Sequence, residues 1–144
     1  MIEYQKILDK NMLNVFKDVL IDIKNSGLSN KNHLYITFFT NHKNVELPNW
    51  LKQKYPEEMT IVIQYEYNDL EVNKNNFLIS LSFDDIKTKL KIDYNSIISF
   101  ADPSANFGLI LQKNKVQKNL KKNLENKKAK NKSNVINFSH YKKY

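Results

Sequence analysis

Residues 77–92 read FLISLSFDDIKTKLKI, and their periodicity decides the fold class. Phe77, Ile79, Leu81 and Phe83 alternate with Leu78, Ser80 and Ser82. Alternation of period two places the first set on one face of a strand and the second set on the other. Asp84-Asp85 then reads as a turn. The chain resumes with Leu90 and Ile92 on one face and Lys89 and Lys91 on the other. Two alternating runs joined by a tight polar turn predict an antiparallel pair with one buried side.

Outward from this pair the same signal recurs. Leu34 to Thr40 (LYITFFT) is rich in aromatic and β-branched residues. Met59 to Tyr67 alternates, with Ile61, Ile63, Tyr65 and Tyr67 opposite Thr60, Val62, Gln64 and Glu66. Ile97 to Ala101 and Phe107 to Leu111 read as short strands around Asp102-Pro103-Ser104. Asn73 to Asn76 is a turn cluster, and Pro48 to Tyr55 a short helix or turn bearing Trp50. Ahead of the strands, Leu8, Met12, Val15, Phe16, Val19, Leu20 and Ile23 recur at helical spacing, which predicts an amphipathic helix over 8–25. Asn25-Ser26-Gly27 should stop it, with Gly27 at a left-handed C′ position. One helix followed by about six closely spaced strands predicts an α+β, mainly β domain: a helix packed on a small antiparallel barrel or sandwich.

The net charge of +8 suggests nucleic acid until it is mapped. Residues 1–111 carry 12 Lys against 14 acidic residues, a net of −2, whereas residues 112–144 carry 11 Lys and Glu125 alone, a net of +10. There is no Arg, the side chain that reads guanine and clamps phosphate through a bidentate fork. The predicted organisation is therefore a folded body over 1–111, a Lys/Asn-rich linker over 112–133 and an apolar-containing terminal peptide over 134–144. Val116, Leu120 and Leu124 are too few to bury a core of their own.

Catalytic chemistry finds little support. Two glycines, Gly27 and Gly108, cannot build a dinucleotide fingerprint, a phosphate loop or a nucleophile elbow. Without cysteine, and with His33, His42 and His140 far apart in sequence, no metal-ligand spacing emerges. Glu57-Glu58 and Asp84-Asp85 are adjacent pairs, which a strand would point to opposite faces. The expectation is a non-enzyme with no cofactor and no metal. No apolar run approaches the roughly 20 residues of a membrane span, and Met1 to Lys6 does not read as a signal peptide, so a cytoplasmic location is expected.

The chain resembles the stringent starvation protein B (SspB) family in its alphaproteobacterial form. The resemblance rests on Ser26-Gly27-Leu28 and His33 to Phe38, on the block Leu51 to Gln64 with its Lys54-Tyr55-Pro56-Glu57-Glu58-Met59-Thr60-Ile61-Val62 run, and on Asp69-Leu70, Leu81-Ser82-Phe83, Asp102-Pro103-Ser104 and Phe107-Gly108-Leu109. Val135-Ile136-Asn137-Phe138 with Lys142-Lys143 resembles the family's C-terminal docking motif. It implies an Sm-like β-barrel and a homodimeric adaptor that binds ssrA-tagged polypeptides from stalled translation and tethers them to the N-terminal domain of the ClpX unfoldase, for degradation by ClpXP.

Under that reading Gln64, Tyr65, Tyr67, Leu81, Phe83, Phe107 and Leu109 are candidates for holding the tag peptide. Gln64 is favoured as a polar anchor, because an amide both donates to and accepts from a peptide backbone. Val135, Ile136, Asn137, Phe138, Tyr141, Lys142 and Lys143 are candidates for docking on ClpX. The dimer contact is expected at Met12, Val15, Phe16, Val19 and Leu20. The alternative reading is an Sm-like RNA-binding protein with a cationic tail, against which the acidic body argues.

Overall fold

The computed structural model describes residues 1–29, 31–64 and 67–112. Residues 113–133 of the linker, the terminal docking peptide and Tyr65 lie outside the described residues.

Helix α1 spans Tyr4–Ser26, four residues longer at its start than the apolar spacing suggested. Phe16, Leu20 and Ile23 form its buried stripe, with Leu13 and Val19 half-buried beside it. Gly27 closes the helix through its N–H to the Ile23 carbonyl at 2.8 Å. Its φ is 78°, as anticipated, but ψ is 176° rather than left-handed helical. That combination is open almost only to glycine, so the residue is required for an abrupt exit into extended chain. Nothing lies within 4 Å of where a Cβ would sit, so the constraint is conformational and not steric.

The strands are β1 (Leu34–Phe39), β2 (Glu58–Ile63), β3 (Asn68–Val72), β4 (Asn76–Phe83), β5 (Ile86–Asp93), β6 (Ile97–Asp102) and β7 (Phe107–Ile110), with a short helix α2 (Asn49–Lys54) between β1 and β2. They form two antiparallel sheets, one ordered β2-β1-β6-β7 and the other β3-β4-β5. Among the described residues these ladders do not close into a barrel, so the body is an open sandwich capped by a helix. The predicted strand from Met59 to Tyr67 is shorter than expected: β2 ends at Ile63, and the next described strand, β3, begins only at Asn68, in the other sheet.

The 77–92 hairpin forms as read. Phe77 pairs with Ile92, Ile79 with Leu90 and Phe83 with Ile86. Asp84 and Asp85 take φ of 53° and 66°, the doubly left-handed backbone of a two-residue hairpin turn matched to strand twist. Aspartate tolerates this conformation better than most residues.

Phe16 joins the two sheets. Its ring meets Phe77 of β4 at 5.8 Å and Phe100 of β6 at 4.9 Å, in edge and tilted geometries. Tyr94 completes the cluster, stacked on Phe77 at 6.1 Å. Its hydroxyl donates to the Asn73 carbonyl at 2.8 Å, and burial pushes its pKa up to about 12. Below the helix the core continues through Ile36, Phe38, Ile61, Ile63, Ile79, Leu90 and Ile92. The loop after β1 pairs with the outer edge of β5: Glu46 and Lys91 exchange backbone bonds at 2.9 and 3.1 Å.

Candidate functional site: an open strand edge over a half-covered apolar strip

Strand β2 has β1 on one side and no described strand on the other. The phase of the β1–β2 ladder shows what it presents there. Thr40 N–H donates to the Glu57 carbonyl at 2.9 Å. In an antiparallel ladder directly opposed residues alternate between bonded and non-bonded pairs. With the register Leu34↔Ile63 to Phe39↔Glu58, the residues bonded to β1 are Met59, Ile61 and Ile63. The backbone N–H and C=O groups of Glu58, Thr60 and Val62 therefore point away from β1, off the edge that has no described neighbour. The Thr37 and Thr60 hydroxyls lie 2.7 Å apart, as side chains of a non-bonded pair should.

Strand β4 has a matching gap. Strand β3 covers its outer edge only from Phe77 to Ser80, leaving Leu81–Phe83 without a described neighbour on that side. Two ties bring the gap to β2. Four residues link Ile63 to Asn68, whose partner on β4 is Ser80. At the other end Lys54, four residues before β2, lies 3.4 Å from Asp84, just after β4. The outer edge of β2 and the uncovered end of β4 thus flank one seam between the sheets.

Within the seam the apolar strip of β4 and β5 loses its cover. Phe77 and Ile79 are fully buried, Leu81 and Phe83 are half-buried, and Ile86, opposite Phe83, is 53% exposed. Chemically the seam offers what an extended peptide needs: alternating backbone donors and acceptors, and apolar surface for every second side chain. The ion pairs around it, Lys54–Asp84 and Lys87–Asp69 at 3.7 Å, are exposed and contribute little stability.

The expected tag-contact residues fall into two groups. Gln64 is exposed at the end of β2; Tyr67, Leu81 and Phe83 are half-buried along the seam and packed against the core. The Tyr67 hydroxyl is already engaged, donating to the Ile23 carbonyl of α1 at 3.2 Å. Phe107 and Leu109 lie on β7, the opposite edge of the larger sheet. Leu109 pairs with Phe100 and packs on the core, while Phe107 is 43% exposed beside Phe100 at 6.0 Å. The sequence reading missed the backbone edge of β2, which side-chain patterns cannot signal. It also missed Ile86, although the Asp84-Asp85 turn places it opposite Phe83.

Phe107 lines a second cleft of about 480 Å³ between α1 and the β6–β7 end of the sandwich. Val15, Val19 and Ile23 form its helical wall, with Asp18, Asp22 and Asp102 also lining it. Of the expected dimer residues, Val15 is 40% exposed, and Met12 and Val19 are half-buried. Phe16 and Leu20 need correcting: both have no exposed surface and belong to the protomer's own core, so neither can reach a second copy.

A helix-capped pair of unclosed antiparallel sheets, with no described strand beyond β2, defines an α+β, mainly β protein. The chain belongs to the stringent starvation protein B family, whose model, SspB, matches residues 7–142. That membership carries, in general terms, the role of a ClpXP-associated adaptor. No curated protein matches the chain. Among the described residues no helix is long and apolar enough to cross a membrane.

Proposed function

We propose that this adaptor captures ssrA-tagged polypeptides in the β2–β4 seam and hands them to the ClpX unfoldase through its C-terminal peptide. The observation that carries the reading is the edge of β2 that has no described neighbour, beside the half-covered Leu81, Phe83 and Ile86 strip, in a chain of the SspB family. Backbone bonding to Glu58, Thr60 and Val62 would supply sequence-tolerant affinity, and the apolar strip and the Gln64 amide would supply selectivity. Val135, Ile136, Asn137, Phe138, Tyr141, Lys142 and Lys143 would make the ClpX contact.

Such a protein needs no reaction of its own, because it acts by raising local concentration. A flexible peptide of about 22 residues has a root-mean-square span of roughly 25 Å, and joining two sites by such a tether gives effective concentrations near the millimolar range. Two weak contacts joined in this way bind about 10²–10⁴ times more tightly than either alone. A homodimer built on the exposed face of α1, around Val15, would double the valency in the cytoplasm.

Deletion of residues 134–144 tests the division of labour. Tag-peptide affinity should be unchanged, while stimulation of ClpXP degradation of a tagged reporter should vanish. Loss of peptide binding in the truncated protein would sink the assignment.

A further inference from the structure

We infer that Lys24 and Tyr67 are positioning residues for the seam, acting by clamping a β-bulge in β3 to the last turn of α1. The inference rests on the seam being the tag site. Strand β3 slips register between Asn68 and Glu71: Asn68 faces Ser80, but Glu71 faces Leu78, so Asp69 and Leu70 oppose Ile79 alone. Asp69 sits at φ 55°, a left-handed backbone that a non-glycine residue holds only when its surroundings enforce it.

The enforcement comes from the helix. Lys24 Nζ donates to the Leu70 carbonyl at 2.9 Å, and the Tyr67 hydroxyl donates to the Ile23 carbonyl at 3.2 Å. Both bonds join residues more than 40 positions apart in sequence. They grip the bulge from either side of Asp69. The helix end they use is rigid, since Ile23, Leu20 and Phe16 are core residues and Gly27 N–H caps the same Ile23 carbonyl.

Gln64 lies three residues before Tyr67, within about 11 Å of extended chain. The clamp therefore sets where the end of the β2 edge and the Gln64 amide stand relative to β4. With its hydroxyl engaged by the helix, Tyr67 acts on the seam through position.

A double-mutant cycle on the full chain tests this, read as the dissociation constant of a fluorescein-labelled ssrA-tag peptide. Tyr67→Phe keeps the ring and Lys24→Met keeps the aliphatic stem, so each removes one hydrogen bond. Each should weaken binding about three- to tenfold. In a Gln64→Ala background the same changes should cost less than about twofold, because the group they position is gone. Full additivity with Gln64→Ala, or unaltered affinity in both single variants, would overturn the clamp while leaving the seam intact. If Gln64→Ala itself binds as tightly as the parent, the tag-site reading and the clamp fall together.

Discussion

The ring of Phe16 lies 4.9 Å from that of Phe100, centroid to centroid, and this contact ties helix α1 to the larger sheet. Both rings are buried. Phe16→Ala should therefore destabilise the monomer by about 3–5 kcal/mol through lost transfer energy and the cavity left behind. Val15→Glu, one residue away on the exposed side, should change stability by no more than about 0.5 kcal/mol yet dissociate a dimer built on α1. Thermal melts with sedimentation equilibrium separate the two. A fully dimeric Val15→Glu protein would move the self-contact elsewhere.

Gln64 is exposed and forms no side-chain bond among the described residues. Gln64→Ala should weaken tag-peptide binding about tenfold, as loss of an amide that both donates and accepts implies. Its melting temperature should stay within a degree or two of the parent. Fluorescence anisotropy with the tag peptide reads the first quantity and calorimetry the second.

The ladder phase makes a sharper prediction for Thr60. Its backbone N–H points away from β1, so Thr60→Pro removes an outward donor without breaking the β1–β2 ladder, the setting in which edge strands accept proline. Peptide affinity should fall about tenfold or more if the tag adds as a strand. Thr60→Val is the control for the lost contact with Thr37. Equal binding by the proline and valine variants would exclude strand addition at β2.

The charge map separates peptide capture from RNA binding. Residues 1–111 carry a net of −2, and the seam contacts on offer are backbone and apolar groups. Raising salt from about 50 to 200 mM should shift tag-peptide affinity less than about threefold, whereas a protein neutralising several phosphates loses orders of magnitude over the same range. A steep salt slope for the peptide would contradict an apolar seam.

Tyr94 sets an alkaline limit. Burial raises its folded-state pKa from 10.0 to about 12, so between those values the folded protein keeps a proton that the unfolded chain releases. The unfolded state then binds fewer protons, and stability must fall as pH rises from about 10 towards 12, by at most about 1.4 kcal/mol per pH unit for this group. Below pH 10 Tyr94 contributes no slope. Denaturant midpoints from pH 8 to 11 should show the decline, and Tyr94→Phe should flatten it while costing some stability at neutral pH through the lost bond to Asn73.

The legible parts of this protein were those governed by local periodicity. Residues 77–92 announced their hairpin because alternation and a two-aspartate turn agree. Leu8, Met12, Val15, Phe16, Val19, Leu20 and Ile23 announced an amphipathic helix because their 3- and 4-residue spacing fits a helical period. The Lys54 to Val62 run and the terminal Val135-Ile136-Asn137-Phe138 carried the family resemblance. The dimer stripe was harder: a broad apolar helix face does not say which side meets its own core, and Phe16 and Leu20 belong to the inside.

Sequence alone determined the α+β class, the slightly acidic body, the cationic C-terminal quarter and the family, because composition, period and motif are properties of the chain itself. Tertiary structure alone decided that β2 stops at Ile63 and the chain re-enters the other sheet at Asn68, that no described strand lies on the outer side of β2, and that Phe107 sits across the sheet from Gln64. It also decided that Lys24 reaches the carbonyl of Leu70. These features depend on which strands become neighbours, and backbone pairing across tens of residues leaves no periodic trace in the side chains.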